Sequence, residues 1–197
     1  MGLIMLSPSG LCQDTAMKTT FCAFALVCSA AFVQAQTPPP PLAVPNPTYM
    51  VIPLEIAVNR PAAEVWKRVG KYCDIAEWLR IPTCTVTGKD GEIGAIRSVA
   101  SEILVGRTEL SYTYTQPVRE GRPYNLYHGT LEARPVTATT SKLVYTLIFD
   151  NSMLADDAAR ERDKAQRTAA FTTALENMKI LAEGGTLPPA PPRGGRQ

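Results

Sequence analysis

The chain has one histidine, five cysteines and almost no excess charge, with 20 lysines and arginines against 18 aspartates and glutamates in 197 residues. Zinc sites usually draw four ligands from His, Cys and carboxylates. The scarcity of the first two excludes most such designs, and neither a metal nor another cofactor is expected. A histidine-centred hydrolase would rest entirely on His128. A net charge of +2 supplies neither the basic stripe that nucleic acid requires nor the like-charge block of a membrane-surface segment. The apolar run Phe21–Val33 falls short of the about 20 residues that span a bilayer. What is present is a hydrophobic fraction of 45%, enough to close a core and to exclude a disordered chain. The length suits one domain with tails. Composition points to a binding or lipophile-handling domain without naming a ligand.

Met17-Lys18-Thr19-Thr20 is a short positive start ahead of the apolar run, and Val33-Gln34-Ala35 follows it with a small residue. This is the pattern of a secretory signal at Met17–Ala35, cleaved after Ala35, with a retained N-terminal anchor as the alternative. Residues 1–16 have no evident role, and translation from Met17 would remove them. Val27 is too bulky for the residue ahead of a lipoprotein Cys28. Residues 36–47, with Pro38–Pro41, Pro45 and Pro47, read as an extended linker. Residues 184–197, rich in proline and glycine, read as a disordered tail. The folded domain is then residues 48–183. Its expected setting is periplasmic or secreted, as a monomer with no integral span after cleavage.

Signal removal takes away Cys12, Cys22 and Cys28, leaving Cys73 and Cys84 as an even pair in an oxidising compartment. A bridge between them would pin the end of a helical hairpin to the next strand, contributing roughly 3 kcal/mol through loop closure. Two buried, unpaired thiols are the alternative. The CxxC spacing of a redox pair is absent.

Tyr49–Val58 is rich in β-formers and stops at Asn59-Arg60-Pro61. Pro61 suits the first turn of a helix, where its missing N–H costs nothing, with Asn59 or Arg60 near the cap. Gly70 ends that helix, and a short one follows over Asp74–Leu79. Thr83–Thr87 and Gly94–Val99 flank the turn Gly88–Gly91 as a hairpin. Glu102–Val105 and Glu109–Gln116 form the next pair. Leu110, Tyr112 and Tyr114 alternate with Ser111, Thr113 and Thr115, the period of a sheet with one wet face. Tyr124–Ala133 places Tyr127, Gly129, Leu131 and Ala133 together, and Lys142–Asp150 does so for Leu143, Tyr145, Leu147 and Phe149. Asp156–Glu183 is a long helix with an acidic start and Gly184-Gly185 at its end. Phe171, Ala174, Leu175, Met178 and Leu181 form its apolar stripe. Segregated helices and consecutive strands predict an α+β fold: a curved seven-stranded antiparallel sheet around a long C-terminal helix, with two short helices after the first strand.

Pro61-Ala62-Ala63-Glu64-Val65-Trp66 after the first strand, Trp78 with Pro82, and Gly91-Glu92-Ile93-Gly94-Ala95-Ile96-Arg97 follow one another in a set order. Glu102-Ile103-Leu104, Ser111-Tyr112 and Tyr127-His128-Gly129-Thr130-Leu131 continue it. In this order the chain resembles the START/birch-allergen-like (SRPBCC) superfamily, and within it the polyketide cyclase/dehydrase and lipid-transport group, over about Val51–Glu183. The resemblance implies a helix-grip fold with a hydrophobic pocket between sheet and long helix, and lipids, sterols, hormones or polyketides as ligands. Some members of the family catalyse cyclisation or aromatisation. The family has no universal catalytic set, so none is carried over. The short connections at Ala100-Ser101 and Gly106-Arg107 depart from the usual flexible loops.

The expected ligand-binding residues are Trp78, Glu102, Leu110, Tyr112, Tyr114, Tyr127, Leu131, Tyr145, Phe149 and Phe171. Tyrosine rings would line a cavity while their hydroxyls orient a polar group; filling the core is the alternative. Trp66 is assigned to the core, and Trp78 lies near the presumed mouth. Glu102 shares the parity of Leu104 and is expected inward, as an acid or base with Tyr112 or as half of an ion pair. Arg97 has the opposite parity, so pairing between the two requires a register change in the turn. His128 is expected to face outward. The mouth is expected between residues 116–124 and 151–155, with Arg119 and Arg122 available to an acidic group. Three functions compete: carriage of a small hydrophobic molecule, a cyclase/dehydrase using Glu102 and the tyrosines, and an envelope-protein interaction module acting through the proline-rich tails.

Overall fold

A computed structural model describes residues 46–119 and 121–189. The expected secretory signal, most of the expected proline-rich linker and the last eight residues of the expected tail lie outside the described residues. Strand β1 (Tyr49–Val58) leads into helices α1 (Ala62–Val69) and α2 (Ile75–Trp78). Six strands follow: β2 (Val86–Thr87), β3 (Ile96–Arg97), β4 (Glu102–Arg107), β5 (Ser111–Thr115), β6 (Asn125–Pro135) and β7 (Ser141–Asp150). Helix α3 (Asp157–Ala182) ends the fold. The strands form one antiparallel sheet in the order β1-β7-β6-β5-β4-β3-β2. This is the seven-stranded helix-grip arrangement expected from the pattern of elements. The first hairpin is shorter than expected, with two residues paired on each side.

Alternation sets the two faces. In β1 Ile52 and Val58 are buried and Met50, Leu54 and Ile56 half-buried, while Tyr49, Val51, Pro53, Glu55 and Ala57 face out. Pro53 is tolerated because β1 is an edge strand. Tyr127, Gly129, Leu131 and Ala133 of β6, and Leu143, Tyr145, Leu147 and Phe149 of β7, are all buried. Asp150 ties β1 to the start of α3, accepting bonds from the Thr48 N–H at 2.8 Å and from the Ser152 N–H and hydroxyl at 3.0 Å.

Pro61 is itself the N-cap of α1 rather than its first residue, and its carbonyl accepts from the N–H groups of Glu64 and Val65. Gly70 is required at the other end, because a Cβ there would overlap the Trp66 indole and its carbonyl. Helix α3 starts on the Asp156 side chain, which accepts from the Ala159 N–H at 2.7 Å. Its second half carries Ala174, Leu175, Met178 and Leu181 inward, with Phe171 half-buried. The buried Asn177 reaches across to the Trp78 carbonyl at 2.9 Å and fixes α2 on α3. The first half of α3 buries no residue fully.

Candidate functional site

Along the antiparallel sheet the connections fall into two groups at opposite ends. The β3–β4 turn, the β5–β6 loop and the β7–α3 connection share one end; the β1–α1, β2–β3, β4–β5 and β6–β7 connections share the other. The mouth was expected at the first. There the space bounded by Ala100, Gln116–Arg119, Arg122 and Tyr124–Tyr127 amounts to about 10 Å³, room for about one water. Side chains close it. The Tyr124 hydroxyl donates to Gln116 Oε1 at 2.7 Å, and Gln116 Nε2 donates to Glu102 Oε1 at 2.9 Å. Arg167 of α3 lies over Tyr124 and Phe149, 4.4 and 4.5 Å from the ring centres, and is held by Asp163 at 2.9 Å. Arg119 donates to the Ser101 hydroxyl at 2.5 Å.

The interior between sheet and α3 is filled by the aromatic residues expected to line a pocket. Tyr145 packs on Phe171 with centroids 4.8 Å apart, Tyr127 stacks on Phe149 at 5.7 Å, and Trp78 meets Tyr145 edge-on at 6.3 Å. The Tyr114 and Tyr145 hydroxyls share a 2.9 Å hydrogen bond. Trp78 is fully buried rather than at a mouth. Gly129 makes this packing possible, since a Cβ would overlap the Tyr114 ring. Gly129→Ala is therefore expected to lower stability by about 1–3 kcal/mol, the usual cost of overpacking; chemical denaturation with an unchanged slope measures it.

Behind these rings lies a buried ion pair. Arg97 and Glu102 are 0% and 3% exposed, and Arg97 Nε donates to Glu102 Oε2 at 2.5 Å. Opposite numerical parity does not keep the two apart. Directly paired residues share a face whatever their numbering, and a turn over residues 98–101 sets Arg97 opposite Glu102. Ala100 and Ser101 both take positive φ, 50° and 55°, to make that turn. Arg97 Nη1 also donates to the Tyr72 carbonyl at 2.8 Å and the Tyr112 hydroxyl at 3.3 Å. Its Nη2 has no acceptor among the described residues; the faces of Tyr72 and Tyr114, 4.5 and 4.6 Å from Cζ, flank the cation instead. Burial pushes the Glu102 carboxyl up, against the opposing pull of Arg97 and Gln116.

A cavity of about 300 Å³ opens at the second end, between α1 and the β4–β5 corner. This is the lower end of the ~300–1,000 Å³ range of small-molecule sites. Trp66, Tyr72, Leu104 and Tyr112 supply its apolar surface, with Gly70, Gly91, Thr108 and Ser111 beside them and Lys67, Lys71, Asp90 and Arg107 as the charged groups. No residue of α3 lines it. Of the expected ligand-binding residues Tyr112 alone does. Trp66, assigned to the core, is half-buried and forms a wall. Arg107 reaches this side through a bulge in β4: pairing runs Leu104↔Tyr114 and then Arg107↔Tyr112, so the extra residue brings Arg107 to the face of Leu104. The Cys73–Cys84 disulfide, with Cα atoms 5.5 Å apart, holds the corner just past Tyr72.

The sequence matches the family described as "Polyketide cyclase / dehydrase and lipid transport" over residues 52–183. The chain belongs to that family. Solved structures share the fold of this family member. A protein from Thermobifida fusca is 25% identical with a TM-score of 0.57, the match covering 68% of this chain and 95% of that one. An aromatase/cyclase from Streptomyces sp. R1128 is 18% identical with a TM-score of 0.53, covering 71% and 100%. Norcoclaurine synthase from Thalictrum flavum is 13% identical with a TM-score of 0.52, covering 70% and 88%. No protein of curated function matches the sequence.

Within this member of the polyketide cyclase/dehydrase and lipid-transport family, the acid–base candidates are constrained. Glu102 has both oxygens engaged, and it is not part of the cavity wall. Burial raises the phenols of Tyr72, Tyr112, Tyr114, Tyr127 and Tyr145 above the ordinary tyrosine range, so they are neutral donors at physiological pH. A raised folded pKa gives stability that is full below about 10, the unfolded value, and is lost as pH climbs towards the folded values. Absorbance titration should therefore show these five phenols ionising only together with alkaline unfolding. Stepwise ionisation of all seven tyrosines near their ordinary value, with the fold intact, would contradict the packing. His128 is exposed on β6, its Nδ1 3.0 Å from the Leu126 carbonyl, and takes no part in the cavity.

Among the described residues no group of three or more His, Cys, Asp or Glu is arranged to hold a metal. None of their helices is long and apolar enough to cross a membrane.

Proposed function

We propose that this chain is an exported carrier that holds one small hydrophobic molecule in the cavity between α1 and the β4–β5 corner. One observation carries the reading. The about 300 Å³ cavity has an aromatic and aliphatic surface, whereas the carboxylate a cyclase or dehydrase would use is locked between Arg97 and Gln116. A cavity from which the buried carboxylate is withdrawn suits carriage better than turnover. Export draws its support from the signal pattern at Met17–Ala35 and from the disulfide, a bond typical of oxidising compartments.

The test is native mass spectrometry of the protein isolated from its own extracytoplasmic compartment, followed by denaturing extraction. A stoichiometric small molecule that leaves on denaturation, and is recovered unaltered after incubation, is the expected result. An empty protein that also refuses a panel of lipophiles would sink carriage. Conversion of the recovered molecule by the pure protein would establish the cyclase/dehydrase reading instead.

A further inference from the structure

We propose that this cavity selects amphiphiles with one anionic head on a flat apolar body, the head seated among Lys67, Lys71 and Arg107. The proposal rests on the reading of the cavity as a small-molecule site and adds the charge class of its ligand.

The three cations come from different parts of the chain: Lys67 from the last turn of α1, Lys71 from the corner beyond it, and Arg107 from the end of β4. Among the described residues Asp90 is the one carboxylate lining the same cavity. In a chain whose net charge is only +2, such a concentration at one opening is not general basicity. None of the three enters an ion pair among the described residues. Arg68, the neighbour of Lys67 on α1, shows the contrast: both its terminal nitrogens bond to Glu77 at 2.7 Å.

Arg107 is also fixed in place. Its Nη1 donates to the Gly91 carbonyl, leaving its remaining N–H groups to a ligand. Gly91 has φ of +75°, and a Cβ there would stand 3.1 Å from Arg107 Nη1, crowding the guanidinium. The bulge that turns Arg107 to the concave side also leaves Leu104 and Tyr112 as the surface behind it. A guanidinium held at Gly91 and flanked by two exposed lysines, above aromatic rings, is complementary to a carboxylate, sulfonate or phosphate ester on an apolar body.

Calorimetric titration of the full chain with three isosteric probes tests this: naphthalene-2-carboxylate, naphthalene-2-carboxamide and 2-naphthylmethylammonium. The carboxylate is expected to bind roughly tenfold or more tightly than the carboxamide, and the ammonium weakest. Added salt should narrow that gap. The triple variant K67Q/K71Q/R107Q should bring the carboxylate down to the affinity of the carboxamide. Asp90→Asn should widen the gap. Inorganic phosphate and sulfate, which lack the apolar body, should not compete.

Equal affinity for all three probes would overturn the anionic preference and leave the small-molecule reading standing. A preference that survives in the triple variant, or competition by free phosphate as strong as by the naphthoate, would overturn it as well. Failure of the folded protein to bind any of the three would overturn the reading of the cavity itself.

Discussion

Arg97→Met is expected to destabilise the fold by about 3–5 kcal/mol, because it leaves the Glu102 carboxylate buried with only Gln116 to bond. The size follows from asymmetry. A buried ion pair contributes little net stability against an apolar substitute, yet breaking one half strands the other charge in a medium that cannot solvate it. The double variant R97M/E102L should therefore recover most of the loss, and a double-mutant cycle of denaturation midpoints measures the difference.

The single variant should also acquire a distinctive pH dependence. Burial raises Glu102 in the native state and Arg97 opposes that rise; without Arg97 the carboxyl rises further. A raised folded pKa means stability is present below the unfolded carboxyl value and is lost as pH climbs through the folded one. Arg97→Met should accordingly lose stability between acid and neutral pH more steeply than the parent chain. Identical pH profiles, or a double variant no better than the single, would show that the pair does not behave as a buried unit.

Removing the Cys73–Cys84 bridge is the second large effect. The cysteines are 11 positions apart, and closing so short a loop restricts the unfolded chain by about 3 kcal/mol. The expected result for C73S/C84S is a loss of that order, read from denaturant unfolding alongside the parent chain in reducing buffer. Binding should suffer too. Cys73 follows Tyr72, whose carbonyl anchors Arg97 and whose ring lines the cavity. Freed from Cys84, that corner gains mobility and weakens any ligand held there. An unfolding midpoint insensitive to reductant would show that the bridge contributes nothing to the native state.

Much of the fold was legible from periodicity. The alternation in β5, β6 and β7 and the stripe Ala174–Leu181 each place one face inward, and the burial of those residues follows. The family was legible from the order of short motifs, and the disulfide from the even pair of cysteines in the expected folded domain. The cavity was not. Periodicity reports which residues face inward but not whether they leave space, and Tyr114, Tyr127, Tyr145 and Phe149 proved large enough to occupy the interior they surround. Two local irregularities hid the rest. The turn over 98–101 sets Arg97 beside Glu102, and the bulge in β4 brings Arg107 to the concave face; each depends on backbone geometry that a two-residue period does not encode. Tyr72 and Lys71 sit in a corner outside any regular element, where no pattern could single them out.

Among the described residues the sheet is open, so β1 presents ten residues along a free border. Such borders recruit strands from other molecules and start aggregates. Here the border is interrupted twice. Pro53 removes a donor, and at the far end Lys179 of α3 donates to the Ala57 carbonyl at 2.9 Å while Glu183 takes the Asn59 N–H at 2.8 Å. The C-terminal helix thus shields the strand it crosses. A chain shortened before Lys179 would expose main-chain groups able to zip onto a second copy, so the last helical turn guards solubility as much as it completes the core.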